Sequence, residues 1–226
     1  MRCPMLLFFT LLACQDTNQS PKNTEPKEQV SENKSEKAEK KNNVEVQESE
    51  CTYTVTQAKP EWTAYKYTEK AAVGGTFNAY KLSPTKPASS FTGALQNLSI
   101  EIDAASVESN NPARNTTIAE KYFALFAPQS IIKGNVLSAK GDEKKGTVEI
   151  NIDMNGVQKP YTFSYEEKEG MLVASSVMDM MDFQLQKPFD SIHTACKELH
   201  TGSDGVAKTW TEVALRVVVQ YDKQCK

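Results

Sequence analysis

Few side chains in this sequence could support catalysis or metal binding. The chain has two histidines, His193 and His200, which lie about two helical turns apart and could share one face of a helix. A metal site would need further ligands, and the spacing suggests none. Cys196 lies one turn before His200, but a catalytic cysteine–histidine pair also needs a group that orients the base. We therefore expect the histidines to belong to a polar helix face.

Three acidic residues near one methionine cluster, Asp179, Asp182 and Asp190, are the other candidate ligands. They lack the ligand spacing of an EF-hand calcium loop. The chain also contains no Walker phosphate loop, paired CxxC, HExxH or GxSxG motif. The sequence therefore predicts no catalytic residue, no metal and no cofactor, and an enzyme is the last of three function classes considered.

Length and composition limit which functions and partners the chain could have. The 226 residues allow one large domain or two small ones, and the formal net charge is −3. Proteins that bind nucleic acid usually carry a surplus of Lys and Arg, so we expect no nucleic-acid partner. The oligomeric state is not indicated by the sequence.

The first 14 residues are typical of a bacterial lipoprotein. Arg2 precedes a short apolar run, Met5–Leu12, which is shorter than the roughly 20 residues that span a bilayer. Leu11–Cys14 resembles a lipobox, which implies that 1–13 is a cleaved signal peptide and that Cys14 is lipidated. Gln15, in place of Asp, favours the outer membrane. The expected location is the cell envelope, with the protein lipid-anchored and facing the periplasm; an ordinary signal peptide is the alternative.

Residues 14–50 are predicted to be a disordered polar tether. After Cys14 they contain no aromatic residue, and their apolar side chains are limited to Val and Ala at four positions. Such a segment cannot bury enough apolar surface to offset its ordering entropy. The folded domain is therefore expected at 51–226.

Period-two alternation of apolar and polar residues predicts strands throughout 51–226. The clearest runs are Leu98–Asp103, Val148–Met154, Tyr161–Glu166 and Val213–Tyr221, and less regular runs are Ile131–Ala139 and Met171–Val177.

The connections between these strands are too short for parallel crossovers. Asn155-Gly156 is typical of a two-residue hairpin, and Glu169-Gly170 and the loop 141–146 join the neighbouring pairs. The sequence therefore predicts an all-β fold, an antiparallel up-and-down barrel of about eight strands. Two short helices are expected, one within Pro112–Leu125 and one at Ser191–His200.

Three cysteines remain in the predicted domain. Cys51 begins the first predicted strand and Cys225 follows the last, and these strands are neighbours in an even-stranded barrel. A Cys51–Cys225 disulfide would close the barrel at its seam, and Cys196–Cys225 is the alternative pairing.

Several short motifs resemble the YceI-like family. They are Trp62–Lys66, Val73–Phe77, Leu98–Asp103 with Ser106-Val107, Asn111–Asn115, His200–Gly205 and Lys208–Trp210. The sequence departs from the family where many members have a histidine after the first strand, since Tyr67 and Thr68 stand near that position.

The resemblance implies a lipocalin-like barrel that holds an isoprenoid-type or other amphiphilic lipid in its interior. The candidate ligand-binding residues are the inward-facing Trp62, Phe77, Ile100, Ile102, Ile150, Ile152, Phe163 and Trp210. The expected partners are such a lipid and, through Cys14, a membrane. The alternative function is a ligand-free structural or stress-related envelope lipoprotein whose barrel is filled by side chains.

Overall fold

The computed structural model describes residues 50–96 and 98–226. The predicted signal peptide, the lipidation site Cys14 and all of the predicted tether except Glu50 lie outside the described residues. Within the described part of the chain, no helix is both long and apolar enough to cross a membrane.

Ten strands make up most of the structure. They are β1 (Cys51–Lys66), β2 (Ala71–Phe77), β3 (Tyr80–Leu82), β4 (Ser99–Asp103), β5 (Val107–Glu108), β6 (Ile131–Gly141), β7 (Lys145–Met154), β8 (Val157–Lys168), β9 (Met171–Asp179) and β10 (Glu212–Cys225). Three α-helices lie between them, α1 (Phe91–Gln96), α2 (Pro112–Lys121) and α3 (Gln186–Ala195), with 3-10 turns at Ala104–Ser106, Phe123–Leu125, Met180–Phe183 and Glu198–His200.

All strand pairs are antiparallel, and the order is β3-β4-β6-β7-β8-β9-β10-β1-β2-β5. The sheet curls into a half-barrel whose margins are the short strands β3 and β5. β5 pairs with β2, whereas β3, which follows β2 after two residues, pairs with β4. If β2 with β3 and β4 with β5 are counted as interrupted strands, the sheet has the eight strands that were predicted, and the antiparallel all-β fold is confirmed.

The turn at Asn155-Gly156 shows why the hairpin prediction was correct. Both residues have positive φ, 54° and 75°, as a type I′ turn requires, and Met154 pairs with Val157 across it. Glu169 and Gly170 have φ of 55° and 79° in the next hairpin.

The seam between β1 and β10 is closed by a disulfide. Cys51 and Cys225 are directly paired in the ladder, and their sulfur atoms are bonded. The predicted pairing is therefore confirmed and the alternative Cys196–Cys225 is wrong, since Cys196 is a free, half-buried thiol.

The second predicted helix is displaced. It begins at Gln186, with Leu185 at the N-cap, and not at Ser191, and it ends at Ala195 before the separate 3-10 turn Glu198–His200. Pro188 lies in its first turn, where its missing N–H needs no partner, so the proline does not mark a break.

Candidate functional site

The barrel encloses a cavity of about 610 Å³. Its wall is formed by the inward positions of the strands, and α2 and α3 contribute residues at one end. Its lining is predominantly apolar and includes a ring of half-buried and buried aliphatic side chains from β4, β6, β7 and β10: Ile100, Ile102, Ile132, Val136, Val148, Ile150, Ile152, Val213, Leu215 and Val217. A solid core of side chains is therefore absent from this part of the barrel.

All eight candidate ligand-binding residues lie on the cavity lining: Trp62, Phe77, Ile100, Ile102, Ile150, Ile152, Phe163 and Trp210. They come from five strands and from the segment before β10. That they contact a lipid stays a prediction.

Trp62 is positioned by a glycine on the neighbouring strand. Gly75 of β2 pairs with Trp62, and a Cβ atom at Gly75 would lie 2.5 Å from the indole ring and 2.4 Å from the Glu108 carbonyl oxygen. The indole N–H donates to the Thr76 carbonyl at 3.3 Å. Gly75 thus leaves the space in which the ring of Trp62 lies.

The end of the barrel near the disulfide is closed by four rings, Tyr53, Phe91, Tyr165 and Tyr221, which we call the aromatic floor. On their strands Tyr53, Tyr165 and Tyr221 lie beyond the last cavity-lining residue, and α1 supplies Phe91. The rings of Phe91 and Tyr221 are 4.9 Å apart between centroids, and Phe91 lies 6.0 Å from both Tyr53 and Tyr165.

Polar contacts hold the floor in place from outside. The Tyr53 hydroxyl donates to Glu143 at 2.5 Å, and Lys223 Nζ lies 2.8 Å from the same carboxylate. These hydrogen bonds lower the pKa of Glu143, whereas the bond to Glu143 raises that of Tyr53. The Tyr165 hydroxyl donates to the Asp142 carbonyl at 2.9 Å.

At the opposite end, the cavity opens between α2 and α3. Four exposed residues there also line the cavity: Asn111, Ala113, Ala195 and Leu199. We call this opening the mouth. The lining there also includes Lys66, Arg114 and His200, so polar and titratable side chains are present where the cavity meets solvent.

The helical residues of the mouth were not among the candidate site residues. Ile118 and Tyr122, from α2 and its C-cap, line the cavity, as do Ile192 and Leu199. Their helical spacing was visible in the sequence, but spacing alone does not show what an apolar helix face contacts.

The segments after β1 and before β10 are joined at the mouth. Trp210 donates its indole N–H to the Tyr67 carbonyl at 2.8 Å, and the Thr68 hydroxyl donates to Asp204 at 2.6 Å. Tyr67 and Thr68 thus connect two segments of the mouth.

The three aspartates considered as metal ligands have other partners. Asp179 accepts the backbone N–H of Met181, Asp182 contacts Lys159 and the Tyr161 hydroxyl, and Asp190 accepts from the side chain of Gln186. Among residues 50–96 and 98–226, no group of three or more His, Cys, Asp or Glu side chains could hold a metal ion.

Cys196 is poorly suited to act as a nucleophile. Burial raises the pKa of its thiol, although the nearby Lys66 opposes this effect. A thiol with a raised pKa is mostly protonated at neutral pH, and the thiolate is the reactive form.

The comparisons with known proteins agree with this architecture. A family model for the YceI-like domain matches residues 43–220. The chain belongs to the YceI-like family. No curated protein matches the sequence.

Two solved structures share the fold at low sequence identity. A polyisoprenoid binding domain from Saccharophagus degradans, implicated in plant cell wall breakdown, is 13% identical, with a TM-score of 0.51; the match covers 79% of this chain and 99% of that domain. BcnA from Burkholderia cenocepacia is 12% identical, with a TM-score of 0.50, and the match covers 73% of this chain and 96% of BcnA. Relatives of such low identity support the fold of this YceI-like chain.

Proposed function

We propose that this YceI-like protein is a membrane-tethered carrier that holds an isoprenoid-type or other amphiphilic lipid in its barrel. The cavity is the observation that carries the proposal. Its volume of about 610 Å³ lies within the 300–1,000 Å³ that is typical of small-molecule sites. Polyisoprenoid binding by the Saccharophagus degradans domain, which shares the fold, supports the same class of ligand.

The distribution of polarity favours an amphiphile over a wholly apolar molecule. The apolar walls and the aromatic floor suit a hydrocarbon tail, which would be stabilised by about 25 cal/mol for each Å² removed from water. Lys66, Arg114 and His200 line the mouth, and they would meet the polar end of the ligand. Binding of this kind needs no catalytic residue.

Membrane tethering is supported by the sequence alone. The apolar run before Cys14 is typical of a lipoprotein signal, and lipidation would hold the protein at the outer membrane. The alternative, a structural lipoprotein with a filled barrel, is disfavoured because a filled barrel would not contain a cavity of this size.

The proposal is tested by extracting lipid from the full chain after purification without detergent. We expect mass spectrometry to find an isoprenoid-type or fatty lipid at a fixed ratio to protein. Ala174 of β9 is buried on the cavity lining, so Ala174→Phe should place a phenyl ring in the cavity and lower the amount of bound lipid. The exposed neighbour Ser175 provides the matched control, Ser175→Phe, which should retain it.

Two results would contradict the proposal. One is the repeated absence of lipid from the wild-type protein, and the other is equal lipid content in the two variants. Thermal unfolding of both variants establishes that each is folded.

A further inference from the structure

The chain's two histidines meet at one hydroxyl group beside the mouth. Nδ1 of His193 lies 3.0 Å and Nδ1 of His200 lies 2.8 Å from Oγ1 of Thr209. His193 belongs to α3, His200 to the 3-10 turn Glu198–His200, and Thr209 to the segment before β10. One half-buried hydroxyl therefore connects three segments around the opening of the cavity.

Thr209 is itself fixed to the barrel wall. It forms a β-bridge with Lys66, and the next residue, Trp210, donates its backbone N–H to the Tyr65 carbonyl at 3.2 Å. The histidine contacts therefore attach α3 and the 3-10 turn to the end of β1.

The two hydrogen bonds of this cluster require that at least one ring is neutral at Nδ1. A threonine hydroxyl has one hydrogen, so it can donate to one ring nitrogen while the other ring donates to its oxygen. When both histidines are protonated, both Nδ1 atoms are donors, and the hydroxyl hydrogen no longer has an acceptor in the pair. Two cationic rings then face the same oxygen and repel each other across a half-buried site.

Neighbouring groups also disfavour protonation of His200. Burial lowers the pKa of His200, and the charges of Lys66 and His193 lower it further. Lys66 Nζ lies 3.4 Å from the Leu199 carbonyl. Cys196, the C-cap residue of α3, is a thiol whose pKa is raised by burial.

Glu198, in the turn of His200, and Lys208, next to Thr209, are both exposed. No carboxylate is among the groups that shift the pKa of His200. Because the folded form holds this ring neutral, its stabilising effect is present above the unfolded pKa of about 6.5 and is lost as the pH falls below it.

We propose that His193, Thr209 and His200 form an acid-sensitive latch, in which the histidines bind Thr209 and hold α3 and the 3-10 turn against the end of β1, and protonation of both rings releases these segments so that the mouth widens and the lipid leaves. This inference rests on the proposed function, because the latch controls exchange of the lipid that the cavity holds.

Release of a neutral dye tests the latch in the full chain. Nile red is bound to the protein and its dissociation into excess phosphatidylcholine vesicles is followed by stopped-flow fluorescence between about pH 7.5 and pH 5.5. We expect the dissociation rate of Nile red to rise by about tenfold, which is the change that one linked proton produces in an equilibrium constant over one pH unit. In the double variant His193→Gln/His200→Gln the rise should disappear, because the amide side chains do not titrate. A rate that does not depend on pH in the wild type, or an equal rise in the double variant, would overturn the latch.

A lysine substitution sharpens the test. Lys66→Met removes a positive charge that opposes protonation of His200, so the midpoint of the acid response should move to higher pH. Lys197→Met, at an exposed lysine next to the same turn, is the matched control and should leave the midpoint unchanged. Equal shifts in the two variants would contradict the assignment.

Hydrogen exchange in the ligand-free chain separates failure of the latch from failure of the proposed function. The protection of the amides in residues 193–209, that is, their exchange rate relative to the intrinsic rate at the same pH, should fall in acid in the wild type and not in the double variant. If this occurs but no Nile red binds at any pH, the latch is supported and the lipid-carrier proposal fails. If the dye binds and the protection does not change with pH, the latch fails and the carrier proposal is supported.

Discussion

Trp62 can line the cavity because its partner on the neighbouring strand has no side chain. The indole ring fills the position that a Cβ atom of Gly75 would occupy, and the Glu108 carbonyl oxygen closes the same space from β5. The adjacent Gly74 is different, since a Cβ atom there would meet only ordinary contacts at 3.5 Å or more. Steric contact therefore requires glycine at position 75 but not at position 74.

We expect Gly75→Ala to lower the free energy of unfolding by about 1–3 kcal/mol, the usual effect of overpacking. Gly74→Ala is the matched control and should change it by much less. Urea unfolding followed by tryptophan fluorescence measures both. Equal effects would show that strand propensity, and not contact with Trp62, determines the result.

The residues of the cavity wall could be predicted to the extent that their strands alternate regularly. Ile150 and Ile152 of β7 are examples, since their apolar parity puts both on the cavity lining. The latch residues could not be predicted in this way. His193 and His200 were expected to share a polar helix face, but they lie in two separate segments that converge on Thr209.

Strand β1 shows why a long strand can be difficult to predict from the sequence. A bulge between Val55 and Gln57 reverses the parity, so inward positions are odd-numbered before it and even-numbered after it. Pro60 lies within the strand at a position before the ladder with β2 begins at Glu61, where its missing N–H is tolerated. Alternation across Cys51–Lys66 is therefore broken although the strand is continuous.

A similar bulge in β6 explains an exposed apolar residue. The ladder with β7 passes from Val136 to Ser138, and the skipped Leu137 is 54% exposed. The strand itself could be predicted from its apolar content, but the bulge could not, because it depends on the pairing with β7.

The disulfide stabilises the folded chain by joining strands that are 174 residues apart in sequence. In the chain-entropy model a loop of this length corresponds to about 5 kcal/mol. We expect the double variant Cys51→Ser/Cys225→Ser to lose up to this amount of unfolding free energy, as measured by urea unfolding under non-reducing conditions. Cys196→Ser, which removes the free thiol, should have a small effect. If the double variant were as stable as the wild type, the seam would be held by the β1–β10 ladder alone.

The barrel domain, residues 51–226, has one closed and one open end. β1 begins at Cys51 beside the aromatic floor and ends at Lys66 beside the mouth, so the strand runs the length of the cavity. The up-and-down order of the strands could be predicted from the short hairpins. The difference between the ends could not, because it depends on α1 closing one end and on α2 and α3 leaving an opening at the other.

A ligand that binds inside the folded barrel must raise the free energy of unfolding of the domain. Binding to the folded state alone adds about 2.7 kcal/mol to the free energy of unfolding when the free ligand is at one hundred times its Kd. We therefore expect extraction of bound lipid to lower the Tm of the wild-type protein, and addition of an isoprenoid alcohol in micelles to restore it.

Ala174→Phe separates this linkage from a general effect of extraction. Because its phenyl ring would occupy part of the cavity and reduce lipid binding, its Tm should fall less on extraction than that of the wild type, whereas Ser175→Phe should respond as the wild type does. A fall in Tm of equal size in all three proteins would mean that extraction damages the fold. The response of the wild type would then say nothing in favour of a lipid in the cavity, and the carrier proposal would lose its thermodynamic support.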